Sequence, residues 1–200
     1  MLSFKAKVLL YANNLAMLGE GLFGPLYAVF AEQIGGSVLD ITWAWAVYLV
    51  VSGITIVFVG AYSDRPGWKK KMLLVGYAVS ALFTFLYLFV DTPMKLYIVE
   101  GGLGFAAALS TPTWYALYAK YQTEEERGWS WGIAQGQSKL LLALAMVIGG
   151  FVVSYYSFFA LFTAMGIIQV MATIVLFGLF KGTFGSRGEK IKKSTKKKIV

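Results

Sequence analysis

The hydrophobic positions of the chain fall into six long runs separated by short polar segments. Each run has about the 20 residues that a helix needs to cross the hydrocarbon core of a bilayer, and the runs cover roughly 8–31, 41–62, 72–90, 96–119, 130–154 and 158–180. Because lipid offers backbone groups no hydrogen-bond partner, each run is predicted to be helical. The pattern predicts an all-α membrane protein with a six-helix domain over residues 1–182. A basic tail, 183–200, is expected to be disordered.

Polar residues divide the six predicted helices into two kinds. The first, second, fourth and fifth each carry polar side chains on one face, whereas the third and sixth are apolar nearly all round. We therefore expect the third and sixth helices to face lipid. The other four are predicted to build a polar interior.

The composition agrees with lipid as the main solvent. Hydrophobic residues make up 58% of the chain and charged residues 14%, whereas a soluble domain has about 25% charged residues. The chain contains no cysteine and no histidine, which excludes disulfide scaffolds and the commonest metal and nucleophile sites. It also has no glycine-rich phosphate loop. We expect neither a metal nor a cofactor, and no enzymatic activity.

The charge is distributed unequally between the two sides of the predicted membrane domain. The net charge is +8, and sixteen of the eighteen basic residues fall at the termini or in the even-numbered connections. Cytoplasmic loops of membrane proteins are enriched in lysine and arginine. The pattern predicts a plasma-membrane protein with both termini in the cytoplasm, and it makes nucleic acid an unexpected partner.

Two ionisable residues are predicted to lie near the middle of the bilayer. Glu20 is about 18 Å into the first helix, at 1.5 Å per residue, and Lys139 is about ten residues into the fifth. A charged group at this depth is costly and usually functional. The two residues are predicted either to pair with each other or to take part in a solute site.

Further polar and aromatic residues are candidates for the same site. They are Asn13, Asn14, Gln135, Tyr27, Thr111, Trp114, Tyr115 and Glu100. Each has an alternative interpretation. The amides would tie helices together, the aromatic rings would pack, and Glu100, about five residues from the outer surface, would simply be hydrated.

The stretch "GAYSDRPGWKKKM" between the second and third helices resembles the loop 2–3 signature of the major facilitator superfamily. Its matching residues include Gly60, Asp64, Arg65, Gly67 and Lys69. Two weaker matches accompany it. "EGGLGFAAA" is similar to the family's helix 4 motif, with Glu100 where arginine is usual, and "AKYQTEEERGWSWG" is similar to its loop 4–5 pattern, anchored by residues that include Glu126.

The resemblance implies a fold and an activity. Family members usually have twelve helices in two halves, and each half is a 3+3 inverted repeat; this chain resembles the amino-terminal half. The implied function is secondary active transport of a small solute by alternating access, in a parallel homodimer, with proton coupling open. The resemblance also implies that Asp64 acts at a cytoplasmic gate. The alternatives are a non-transporting membrane subunit and the amino-terminal fragment of a twelve-helix transporter.

Overall fold

A computed structural model of the chain describes residues 2–122 and 127–197, with side chains as far as residue 181. Glu126 and residues 198–200 lie outside this part. The described residues form α-helices joined by short turns, without a strand. The helices are α1 (Phe4–Gly21), α2 (Tyr27–Gln33), α3 (Val38–Ser63), α4 (Trp68–Leu86), α5 (Pro93–Lys120), α6 (Arg127–Tyr155) and α7 (Phe158–Lys197).

The first hydrophobic run forms two helices, where the sequence predicted one. A 3-10 turn, Gly24–Leu26, separates α1 from α2. Pro25 is the cause, because proline has no N–H to donate to the preceding turn of a helix. A second 3-10 turn, Tyr87–Phe89, follows α4 directly. Pro112, in contrast, lies inside the continuous helix α5.

Within the described part of the chain, four helices are long and apolar enough to cross a membrane. They are α3, α4 with its 3-10 turn, α6, and the Phe158–Lys181 part of α7. In contrast, α1 carries Lys5, Lys7 and Glu20 within 18 residues, and α5 is less apolar than these four. The chain is therefore a helical, multi-pass membrane protein.

The ends of the helices follow local rules of capping. Ser37 and Asp40 form a capping box at the start of α3: the Ser37 N–H donates to Asp40 at 2.8 Å and the Asp40 N–H donates to Ser37 Oγ at 3.3 Å. Thr92 caps α5, and Pro93 occupies its first position. Gly67 precedes α4 with φ +84°, a backbone conformation that glycine adopts without strain.

The helices pack as two groups that are joined mainly by the contact between α4 and α7. Helix α5 packs against α3 and α4, α1 packs against α6 and α7, and α4 also packs against α7. Glycines permit the closest approaches, because a Cβ at Gly104 would overlap the carbonyl of Tyr48 and a Cβ at Gly149 would overlap that of Leu22. Backbones in contact through small residues are typical of membrane helices.

Two buried clusters lie toward opposite ends of the helix group. One is built around Leu9, Leu73, Trp114, Tyr118 and Phe180. The other is rich in aromatic rings and includes Phe23, Phe30, Tyr87, Phe158 and Phe162. These clusters fill the space between the helices at both ends and leave a cavity between them.

The prediction that the third and sixth hydrophobic runs form the lipid-facing helices is wrong. In α4 and α7, 33% and 39% of the residues of the apolar span are buried, against 11% in both α3 and α6. The reason is physical: lipid tails are as apolar as leucine, so an apolar helix packs as well against another helix as against lipid. Exposed apolar side chains are instead concentrated on α3 and α6.

Helix α7 continues into the basic segment, where the sequence led us to expect disorder. The backbone is helical as far as Lys197. Lysine, arginine and glutamate have good intrinsic helix propensity, and no proline interrupts the segment. The division of the chain at residue 182 stays a prediction.

Candidate functional site

A cavity of about 470 Å³ lies among the helices. Of the ten residues predicted from the sequence as solute or proton candidates, nine line it: Asn13, Glu20, Tyr27, Glu100, Thr111, Trp114, Tyr115, Gln135 and Lys139. Asn14 is the exception. The fold thus brings side chains from α1, α2, α5 and α6 to one space. Drug-sized ligands occupy pockets of about 300–1,000 Å³.

Glu20 is an exposed carboxyl group in the cavity wall. It stands at the end of α1, beside the buried side chain of Gln169 from α7. The Gln169 amide donates to the Ala16 carbonyl at 3.3 Å. Gly19 leaves room for this contact, since a Cβ there would lie 3.3 Å from the amide nitrogen. Glu20 therefore has a fixed polar neighbour on a helix that was predicted to face lipid.

Glu20 and Lys139 do not form an ion pair. Both are among the described side chains, and both line the cavity, but their charged groups are not within 4.0 Å of each other. Of the two roles predicted for them, direct pairing is wrong. The structure leaves both groups available to the cavity.

Glu100 is buried, so the alternative interpretation that it is simply hydrated is wrong. Its exposed fraction is 6%, and it accepts a hydrogen bond of 2.5 Å from the Tyr87 hydroxyl. The 3-10 turn after α4 places Tyr87 against α5. The hydroxyl of Tyr27 lies near the same carboxyl group without forming a hydrogen bond.

The two asparagines of α1 tie that helix to α6. Asn13 donates to Ser138 Oγ at 3.4 Å, and Asn14 donates to Gln137 Oε1 at 3.1 Å. Asn14 makes this contact but does not line the cavity. Asn13 and Gln135 also line the cavity, and Gln135 is exposed.

Trp114 and Tyr115 occupy different environments although they are neighbours. Trp114 is buried, stacks on Tyr118 at a centroid distance of 4.8 Å, and donates its indole N–H to the Leu9 carbonyl. Its ring is therefore a packing element. Tyr115 is 44% exposed and presents its ring to the cavity.

Sequence reasoning missed the contribution of α4 and α7 to the cavity. Tyr77, Ser80 and Thr84 of α4 line it, as does Gln169 of α7. The three α4 residues recur at intervals of three and four, which places them on one face of a helix. That stripe was a readable signal. For Gln169 the signal was a single amide in an otherwise apolar helix.

The loop between α3 and α4 is ordered by a local network. Asp64 ends α3 and forms an ion pair of 2.8 Å with Lys69 of α4. The hydrogen bond from Lys69, and its positive charge, lower the pKa of the Asp64 carboxyl. Arg65 lies over the rings of Tyr62 and Trp68, at 4.8 and 5.8 Å from their centroids. Gly60 lies one helical turn earlier with open space beside it.

These features define a class: a helical membrane protein with a polar, acid-containing cavity and a charged turn between two spans. A family model described as Major Facilitator Superfamily matches residues 9–199. The chain belongs to this superfamily, as the motifs of its sequence indicated.

Named relatives agree with this assignment. The chain is 26% identical over 159 residues to the uncharacterized MFS-type transporter MJ1560 of Methanocaldococcus jannaschii, covering 80% of this chain and 41% of that protein. It is 27% identical over 165 residues to the multidrug resistance protein MdtH of Yersinia pestis and of Yersinia pseudotuberculosis, covering 82% of this chain and 41% of each relative. The chain thus spans about two fifths of the length of these relatives.

Proposed function

We propose that this chain is a half-size secondary active transporter for a small organic solute, working as a parallel homodimer by alternating access. The observation that carries the proposal is the cavity of about 470 Å³ with two carboxyl groups and one lysine in its wall. Ionisable groups inside a membrane domain are costly, and usually mark a solute or ion pathway. Membership of a transporter superfamily supports the same conclusion.

The proposed architecture is six spans arranged as a 3+3 inverted repeat. In it the first span consists of α1, the 3-10 turn and α2, and α5 is the fourth span. The helix contacts support this arrangement. An inverted repeat makes α1 equivalent to α5, α3 equivalent to α6, and α4 equivalent to α7. Under this equivalence the α3–α5 contact corresponds to α6–α1, and the α4–α5 contact corresponds to α7–α1. The α4–α7 contact corresponds to itself. These are the most extensive contacts between helices in the described chain.

Glu20 is the proposed proton-coupling group. It is a carboxyl group in the cavity wall and has no lysine within ion-pair distance. Such a group can gain or lose a proton as the cavity changes its access from one side of the membrane to the other. Asp64 and Lys69, in the predicted cytoplasmic loop, are the proposed gate elements.

Transport by the purified full chain in liposomes tests the proposal. Four labelled probes are offered: glucose, alanine, benzoate and choline. We expect at least one to enter faster than into protein-free liposomes, and an imposed proton gradient to change that rate. Glu20→Gln should abolish the effect of the gradient. Glu32→Gln is the matched control, because Glu32 is exposed and lies outside the cavity wall.

A second candidate is a membrane subunit that completes a larger transporter without moving solute alone. The chain matches only 41% of each relative, and on this alternative another polypeptide supplies the rest of the transporter. On this alternative, none of the four probes crosses liposomes that contain the chain alone, and the chain is monomeric in mild detergent. That combination would overturn the half-transporter.

A further inference from the structure

Three aromatic rings form one corner of the cavity. Tyr27, Trp45 and Tyr48 all line it. The Trp45 ring lies 6.1 Å from that of Tyr27 at an angle of 57°, and 5.7 Å from that of Tyr48 at 68°. Rings tilted in this way stand as adjoining walls and do not stack. We call these three residues the aromatic corner.

The rings of the aromatic corner differ in how far they are exposed. Trp45 is 51% exposed, although its ring contacts two others. Tyr27 is only 8% exposed, and its hydroxyl has no hydrogen-bond partner. The corner therefore has one exposed wall, the Trp45 ring, and one buried wall, the Tyr27 ring.

Two carboxyl groups line the same cavity as the aromatic corner. The Tyr27 hydroxyl lies near Glu100, and Tyr48 lies near both Glu100 and Glu20. Neither carboxyl group is within ion-pair distance of Lys139, the lysine of the cavity wall. The faces of aromatic rings attract cations, more strongly when water is excluded. A nearby carboxyl group, when ionised, adds a charge of the complementary sign.

We propose that the aromatic corner binds an organic ammonium group, with Trp45 as its principal wall and Glu100 as its counter-charge. A quaternary ammonium group carries no N–H and is weakly hydrated, so it binds favourably against the faces of aromatic rings. The proposal rests on the proposed function, because it names a solute class for the same cavity. It concerns binding, which can be measured without transport.

Choline and 3,3-dimethylbutan-1-ol are the probes. They have nearly the same shape, but only choline carries a charge. Binding to the full chain in lipid nanodiscs is measured with labelled choline and by competition with the neutral alcohol. We expect choline to bind about tenfold more tightly, as cation–π contacts and a counter-charge imply. Equal affinities would overturn the proposal.

Variants of Trp45 identify the wall that is responsible. Trp45→Leu should abolish nearly all of the preference for choline over the neutral alcohol, whereas Trp45→Phe, which keeps a ring, should retain most of this preference. Trp43→Leu is the matched control. Trp43 is on the same helix and 56% exposed, but does not line the cavity. Equal loss in both leucine variants would show that the effect is not specific to the corner.

The outcomes separate this proposal from the proposed function. Choline binding that depends on Trp45, with no probe transported in liposomes and a monomeric chain in mild detergent, would keep the ammonium site and overturn the transporter. Transport of another probe without choline binding would keep the transporter and overturn the ammonium site. Melting temperatures of all variants establish that each is folded.

Discussion

Two glutamates of the same cavity have opposite surroundings. Glu20 is exposed and has the amide of Gln169 beside it, whereas Glu100 is buried and bonded to the Tyr87 hydroxyl. A buried carboxyl group held by a tyrosine hydroxyl keeps its position, while an exposed one is free to meet a solute or a proton. Identical side chains therefore have different proposed roles, solute counter-charge for Glu100 and proton transfer for Glu20.

The ion pair of Asp64 with Lys69 makes a prediction about pH. Lys69 lowers the pKa of the Asp64 carboxyl in the folded protein. The stabilising effect of the ion pair is therefore fully present above the pKa of about 3.9 that an aspartate has in the unfolded chain. It is lost as the pH falls through the lowered value. Lys69→Gln should raise the pKa of Asp64 toward its ordinary value, measured by NMR titration of labelled aspartate carboxyl groups.

Lys71→Gln is the control for this prediction, since it removes the same charge from the same helix without touching the ion pair. The Asp64 carboxyl is 84% exposed, so the expected effect on overall stability is small. An Asp64 pKa that is unchanged by Lys69→Gln would contradict the ion pair.

Helices α4 and α7 have two roles that their composition alone does not reveal. Each presents apolar side chains over most of its surface, yet they pack against each other and each directs polar groups to the cavity. Helices α3 and α6 have the reverse arrangement: they carry polar cavity residues and leave broad apolar faces uncovered. Position in the bundle, rather than mean hydropathy, decides which helices remain open.

The proposed six spans make a prediction about topology. Gly36 lies between α2 and α3, Thr92 precedes α5, and Gly67 lies between α3 and α4. Four basic residues, Arg65 and Lys69 to Lys71, surround Gly67, whereas Lys95 alone lies beside Thr92 and none lies near Gly36. Loops rich in basic residues stay in the cytoplasm. Reporter fusions at Gly36 and Thr92 should therefore read outside, and fusions at Gly67 and at the carboxyl end inside. A carboxyl end that reads outside would contradict six spans.

The uncovered faces of α3 and α6 determine how the chain would assemble. A ridge of three glycines, Gly128, Gly132 and Gly136, runs along α6, and a Cβ at any of them would meet open space. Small residues at intervals of four are typical of contacts between membrane helices. We therefore place the interface of the proposed homodimer on this ridge of α6.

The homodimer makes a prediction about mass. Light scattering in mild detergent should give twice the chain mass of 22.0 kDa. Replacing Gly132 and Gly136 together by leucine should weaken the dimer by about tenfold, because two large side chains overpack the contact. Gly178→Leu, the same change at an open position on α7, should leave the dimer intact. A wild-type monomer, or equal effects of both changes, would contradict this interface.

The amino-acid sequence alone predicted most of the helices, one turn and the polar interior. The hydrophobic runs predict the helices because lipid forces each apolar stretch to satisfy its own backbone. Gly67 predicts its turn because only glycine takes positive φ without strain. Polar residues such as Thr111 and Gln135 predict a shared interior because water-seeking groups in a membrane domain gather away from lipid.

Contacts between helices decided the rest. The sequence does not report crossing angles or helix rotation, and therefore it could not place Tyr87 against Glu100 or separate Glu20 from Lys139. It also could not tell the buried apolar helices from the exposed ones. The reason is that lipid tails and apolar side chains are nearly equivalent surroundings, so the hydrophobicity of a helix does not show whether it packs against lipid or against other helices.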